Sequence, residues 1–242
     1  MRKLILFDID GTLIRTGGAG VRAMTRAFEE TCGVSDALER VEVAGRTDRL
    51  IMTDALALMG KALDDELLER FRGRYCAYLR EELVQLSGPV PGVSDAFGAK
   101  GALPGVRALL DHLEQERRDD IDLALLTGNF RVSAEIKLAH YDLWRYFPWG
   151  AFADDAIERP DLLPVAINRY QALTSRSIDP SNVIIVGDTP HDVTCAQRGG
   201  AKVVAVATGN FDRAALSQCE PDVVFEDLRD MSAFLTLIDQ WS

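Results

Sequence analysis

The chain is poor in the residues that staple or anchor a protein. Its four cysteines, Cys32, Cys76, Cys195 and Cys219, are widely scattered and form no CxxC pair. Such thiols read as free side chains of a reducing compartment, which argues against a disulfide framework. No uninterrupted apolar stretch approaches the length of a membrane span. Only four apolar residues follow Arg2-Lys3 before the short run is broken near Asp8, too few for the core of a signal peptide. The expectation is a cytoplasmic protein without a membrane partner. Basic residues are also in deficit: 27 Lys and Arg stand against 38 Asp and Glu, a formal net charge of -11. That argues against nucleic acid, which attracts proteins through cations. An acidic protein still binds an anion where a metal and a few bases are gathered locally.

What is present is enough to build a core. With 47% hydrophobic residues in 242, the chain suits one large domain or one domain with an insertion. A short apolar strand covers 4–7. Helical spacing of apolar residues then predicts helices over 21–28, 50–59 and 67–83, with no strand between 16 and 86. The breaker-rich stretch 87–92 reads as a linker, which 95–101 continues. Beyond it, Pro104 suits a first helical turn and the helix runs over 106–113. Strands over 121–126, 183–186, 203–206 and 223–225 then alternate with helices over 131–139, 162–173 and 193–198. Alternation of this kind predicts βαβ units and a parallel sheet covered on both faces. The fold class is α/β: a doubly wound, Rossmann-like core of residues 1–15 and 95–242, with a helical domain of residues 16–94 inserted after the first strand.

Ligands of open α/β sheets bind beyond the C-terminal strand ends, so the residues just past each strand are the candidates. The first strand delivers Asp8 and Asp10, the second Thr127-Gly128-Asn129, and the third Gly187-Asp188-Thr189-Pro190-His191-Asp192. Acids so placed repel one another unless a cation joins them. Asp8, Asp10 and Asp188 suit one hard divalent ion such as Mg²⁺, which takes oxygen ligands and a phosphate. A carboxylate beside such an ion can attack phosphorus, and its neighbour two residues on can shuttle the proton. Thr127 and the amides after it, at a helix start, suit the remaining phosphate oxygens. His191 reads as a partly exposed loop residue, and His112 and His140 as helix-surface residues. Gly17-Gly18-Ala19-Gly20 lacks the Lys-Ser/Thr of a P-loop and reads as a hinge.

Phe7-Asp8-Ile9-Asp10-Gly11-Thr12-Leu13 resembles the first motif of the haloacid dehalogenase superfamily. Leu125-Leu126-Thr127-Gly128-Asn129 resembles the second motif, and Val186-Gly187-Asp188-Thr189-Pro190-His191-Asp192 the fourth. The resemblance covers essentially the whole chain, is nearest to the phosphoglycolate phosphatase and β-phosphoglucomutase-like branch, and makes the helical insertion a type-1 cap. It implies that Asp8 is the nucleophile, Asp10 the general acid/base whose carbonyl also touches the metal, and Thr127 the phosphate-binding hydroxyl. It implies Asp188 as metal ligand and Asp192 as a second acid supporting the metal shell. Dehalogenases lack the second Asp, so its presence here favours phosphoryl transfer. The third motif normally supplies a Lys before Pro; here Arg159 precedes Pro160, and Lys137 is the alternative. Arg keeps its charge and binds phosphate bidentately, which puts Arg159 first. In Gly45-Arg46-Thr47-Asp48, a polar break between cap helices, Arg46 is a candidate substrate contact with Gly128 and Asn129.

The implied function is a Mg²⁺-dependent phosphatase of a small phosphorylated metabolite, acting through an aspartyl-phosphate. A sugar phosphomutase is the rival enzyme, although the 17–20 stretch has no His of the kind that branch tends to carry. A non-catalytic binding protein on the same fold is the other rival. Substrate and oligomeric state are open.

Overall fold

The structure is a computed structural model that describes residues 2–85 and 101–241. Strand β1 (Lys3–Phe7) is followed by β2 (Ile14–Arg15), then by three helices: α1 (Ala19–Cys32), α2 (Asp48–Leu58) and α3 (Asp65–Gln85). The chain returns through β3 (Gly101–Ala102), α4 (Val106–Glu116), β4 (Ile121–Leu126), α5 (Arg131–His140) and β5 (Gly150–Ala151). It ends with α6 (Leu162–Thr174), β6 (Val183–Gly187), α7 (Pro190–Gly199), β7 (Lys202–Val206), α8 (Arg213–Ser217), β8 (Val223–Phe225) and α9 (Met231–Gln240). Six strands form one sheet in the order β5-β4-β1-β6-β7-β8 with every pair parallel. The chain builds outward from β1 on one side, then crosses to β6 on the other. The crevice at the carboxyl end of β1 is therefore the switch point where α/β sheets bind ligands.

Burial on both faces explains the near-continuous apolar strands. In β1, Ile5 and Phe7 pack with α4, α5 and α9, while Leu4 and Leu6 pack with α6 and α7. The inserted helices keep a separate core in which Phe28 and Phe71 lie 4.6 Å apart between ring centroids. The expected fold class is thus the observed one, with the helical cap α1–α3 inserted between β2 and β3. No helix of the described residues is long and apolar enough to cross a membrane.

Several local expectations need correction. The linker expected over 87–92, and that over 95–101 apart from Gly101, lies outside the described residues, as does the 94/95 boundary. Gly101 itself belongs to β3, which pairs antiparallel with β2 (Ile14 with Ala102, Arg15 with Gly101) and so ties the two core-side ends of the cap connections together. A two-residue ribbon has no period for a sequence pattern to reveal. Pro104 precedes the helix instead of opening it, because Gly105 is the N-cap with φ of 83°. Only glycine fits there, since a Cβ would collide with the backbone of Leu228 and Arg229. Helix α7 begins at Pro190, so His191 and Asp192 sit in its first turn and not in a loop. Helix α9 lies beyond the elements expected from sequence, yet its signal is present. Asp230 caps Ala233 N at 2.9 Å, and Phe234 and Ile238 fall four apart on the buried face.

Phe234 is fully buried in the core beneath β8. Phe234→Ala should lower unfolding free energy by about 3–5 kcal/mol in urea titrations. A loss below about 1 kcal/mol would mean that α9 is an appendage and not part of the core.

Candidate active site

Asp8 lies immediately after β1, and its amide donates to the Val186 carbonyl at 2.9 Å, which sets it beside the end of β6. Asp188 follows β6, and Asp192 is in the first turn of α7. Carboxylate oxygens of Asp8, Asp188 and Asp192 all lie within 4.8 Å of one another, and all three residues are buried. One guanidinium answers them: Arg159 Nη2 is 2.9 Å from Asp8 Oδ1 and 2.5 Å from Asp192 Oδ1. The other oxygen of Asp192 accepts from Thr189 N at 3.1 Å and Thr189 Oγ1 at 2.7 Å, closing a capping box on α7. Asp188 Oδ1 accepts from Thr12 Oγ1 at 3.1 Å. Among the described residues no hydrogen bond falls on Asp8 Oδ2 or Asp188 Oδ2.

The electrostatic consequence is an excess of negative charge. Burial raises the Asp8 carboxyl; Arg159 opposes this, and Asp192 and Asp10 reinforce it. Burial likewise lifts Asp188 well above the ordinary carboxylate range, with Asp8 and Asp192 adding to it. Arg159 is held in its charged form, since Asp192 and Asp8 outweigh its own desolvation. Gly11 and Gly209 leave room for the Asp188 carboxylate, which a Cβ at either position would strike. An all-oxygen, under-neutralised pocket of this kind fits a hard divalent cation, with Asp8 and Asp188 offering the unoccupied oxygens.

Asp10 takes a different direction. Its side chain stays partly exposed to the cavity, and Oδ2 meets Lys137 Nζ at 2.6 Å and Asn129 Nδ2 at 2.9 Å. Its carboxylate is therefore not part of the three-acid cluster. Thr127 is fully buried, and its Oγ1 accepts from Asn129 N at 3.3 Å and Asn129 Nδ2 at 2.8 Å. Asn129 and Gly128 line the cavity, whereas Thr127 does not. The cavity holds about 250 Å³, with Asp8, Asp10, Asp188 and Arg159 on its core side and Val21, Met24, Ile51 and Tyr75 from the cap opposite.

The cap is docked on the loops that carry these residues. Arg159 Nη1 donates to the Gly45 carbonyl at 3.0 Å, Thr47 Oγ1 donates to the Ile157 carbonyl, and Asp48 N donates to the Gly128 carbonyl at 2.6 Å. Asp48 Oδ2 in turn accepts from Phe130 N at 2.9 Å and Ser133 Oγ at 3.3 Å, so a cap residue braces the start of α5 in the core. Gly128 permits this approach, because a Cβ would collide with the Arg46 carbonyl. Arg46 lines the cavity, but its guanidinium is 2.6 Å from Asp54. Asp48 is missing from the residues expected from sequence, because its place after Thr47 has the ordinary look of a helix start. Gly209 is missing too, although a signal exists: it lies just past β7, at the same sheet edge that marks Asp8 and Asp188.

A family model described as haloacid dehalogenase-like hydrolase matches residues 5–197. The chain belongs to that family. It is 26% identical over 235 residues to the probable phosphatase IndB of Dickeya dadantii, covering 96% of this chain and 92% of the relative. It is 25% identical to phosphoglycolate phosphatase 1 of Pseudomonas aeruginosa, covering 95% of this chain and 78% of the relative. The crystal structure of a hydrolase from Pseudomonas syringae superposes with a TM-score of 0.70 at 21% identity, covering 98% of this chain and 99% of that one. The chain is therefore an enzyme of the hydrolase class, with phosphatases among its relatives.

Burial lifts the Asp48 carboxyl from 3.8 to about 6, against the pull of Lys137 and the Phe130 amide and with the push of Asp10. Between those values the native state keeps a proton that the unfolded chain has released, so stability falls as pH rises through the window. The full effect is roughly 3 kcal/mol. Asp48→Asn should remove that part of the slope in metal-free urea titrations from about pH 4 to about pH 7. Parallel profiles for the two proteins would show that Asp48 is not buried as described.

Proposed function

We propose that this chain is a Mg²⁺-dependent phosphatase that hydrolyses a small phosphomonoester through an aspartyl-phosphate on Asp8. The observation that carries the reading is the surplus of buried carboxylates at the switch point: Asp8, Asp188 and Asp192 cluster there, and among the described residues Arg159 is the one cation paired with them. The names of the relatives support the reaction class. Asp8 and Asp188, with the backbone carbonyl of Asp10 and with Asp192 behind them, would hold the cation. When bound, the cation offsets the carboxylate charge, so that an anionic phosphate can approach Asp8.

The chain's own residues account for the rest. An Asp8 oxygen bonds to phosphorus as the bond to the leaving oxygen breaks, and Asp10 gives that oxygen a proton. Asp10 then takes a proton from water, which attacks phosphorus, releases inorganic phosphate and regenerates Asp8. Arg159, in the place of the usual motif-three Lys, orients Asp8 and offers charge to the phosphoryl oxygens. The amides around Gly128 are the remaining phosphate donors, with Thr127 and Asn129 bracing that loop from beneath. Arg46 would meet the substrate from the cap side on release from Asp54. The cavity limits the substrate to a small phosphorylated metabolite, and the docked cap excludes bulk water during the reaction.

A panel of phosphomonoesters assayed with and without Mg²⁺ tests this. Wild type should release phosphate only with the cation. Asp8→Asn should lose activity by about ten-thousand-fold or more. Arg159→Ala should cost about a hundred-fold or more. Hydrolysis surviving in Asp8→Asn would remove the covalent mechanism. Phosphate moved between sugar hydroxyls without release would make the enzyme a mutase.

A further inference from the structure

Helix α5 presents Ser133 and Lys137, four residues apart, toward the cap and the site. Lys137 is buried, with only 5% of its side chain exposed. A buried ammonium is costly unless paired and hydrogen-bonded. Its partners are specific: Asp10 Oδ2 at 2.6 Å and Asn129 Oδ1 at 2.6 Å. Asn129 Nδ2 donates to the same Asp10 oxygen at 2.9 Å and to Thr127 Oγ1 at 2.8 Å. Two neighbouring donors therefore grip Oδ2. Among the described residues no hydrogen bond falls on Oδ1, and Asp10 faces the cavity with 43% of its side chain exposed. The room for the ammonium is narrow: a Cβ on Gly20 would lie 3.3 Å from Lys137 Nζ. The two buried cations thus divide the acids between them. Arg159 serves Asp8 and Asp192, and Lys137 serves Asp10.

We infer that Lys137 is the positioning residue for Asp10: with Asn129 it pins Oδ2 and so presents Oδ1 to the oxygen that exchanges the proton. This rests on the roles of Asp8 and Asp10 given above. Lys137 does not stand in for Arg159, since it makes no contact with Asp8. Without Lys137 the carboxylate loses one donor and Asn129 loses its own anchor, so half-exposed Asp10 would sample other rotamers, and a displacement of about 1 Å at a reacting group costs on the order of a hundred-fold in rate.

The test is Lys137→Met, which keeps length and removes the charge, assayed beside Asp8→Asn on glycerol 2-phosphate and p-nitrophenyl phosphate. The ratio kcat/KM reads the steps up to phosphoenzyme formation. An alkoxide leaving group needs the Asp10 proton, and a nitrophenolate hardly does. We expect kcat/KM for glycerol 2-phosphate to fall about thirty-fold or more, and for p-nitrophenyl phosphate by less than about five-fold. KM for glycerol 2-phosphate should stay within about three-fold. A crystal structure of Lys137→Met should show the Asp10 carboxylate turned off Asn129 or split between rotamers, with Asp8, Arg159 and Asp188 unmoved. Equal losses on both substrates with raised KM would make Lys137 a general cation for phosphate and overturn the inference. So would an Asp10 side chain that stays in place. Turnover persisting in Asp8→Asn would instead defeat the reading on which the inference rests.

Discussion

The structure depends on the burial of more carboxylates than its own cations neutralise at the end of β1. Asp8 and Asp192 share one guanidinium, Asp188 has only the Thr12 hydroxyl, and among the described residues only Asp192 has both oxygens engaged by protein donors. Buried charge of one sign destabilises a fold unless something compensates it. Helix α7 takes up part of the load by using Asp192 as its capping-box acid, which ties a charged group of the site to the start of a helix. Arg159 takes up another part while its second Nη reaches the cap. The charge left over on Asp8 and Asp188 suits a cation, so the same imbalance that costs stability is what the proposed chemistry draws on.

The cap is coupled to that imbalance. The segment from Gly45 to Asp48 touches all three core loops that follow β4, β5 and β6: Asp48 meets Gly128 and Phe130, Thr47 meets Ile157, and Gly45 packs on Thr189. These contacts are mostly through backbone atoms, which demand close approach and small residues at Gly45 and Gly128. The docked cap thus braces these loops and encloses the cavity through the same set of contacts.

The fold was legible for reasons that particular elements make clear. Strands β1, β6 and β7 are short apolar runs, and helices α1, α2 and α6 show apolar residues at helical spacing, because each must bury a face. The acids were legible too, since a strand end followed by Asp8 or Asp188 violates the pattern of its neighbours. Less legible were β2, β3 and β5, each two residues long, whose pairing comes from the chains that happen to lie beside them.

Local sequence determined which elements form and which polar residues leave the sheet at its carboxyl edge, because both follow from periodicity and from the residues a strand delivers at its end. Tertiary structure alone decided how those residues are partnered. That Arg159 falls on Asp8 and Lys137 on Asp10, that Asp192 turns to Thr189, and that Asp48 crosses from the cap to α5 are matters of side-chain reach and of how the chain is folded back on itself. No spacing within a single segment encodes such distances, since they are set by how helices pack against the sheet and cap.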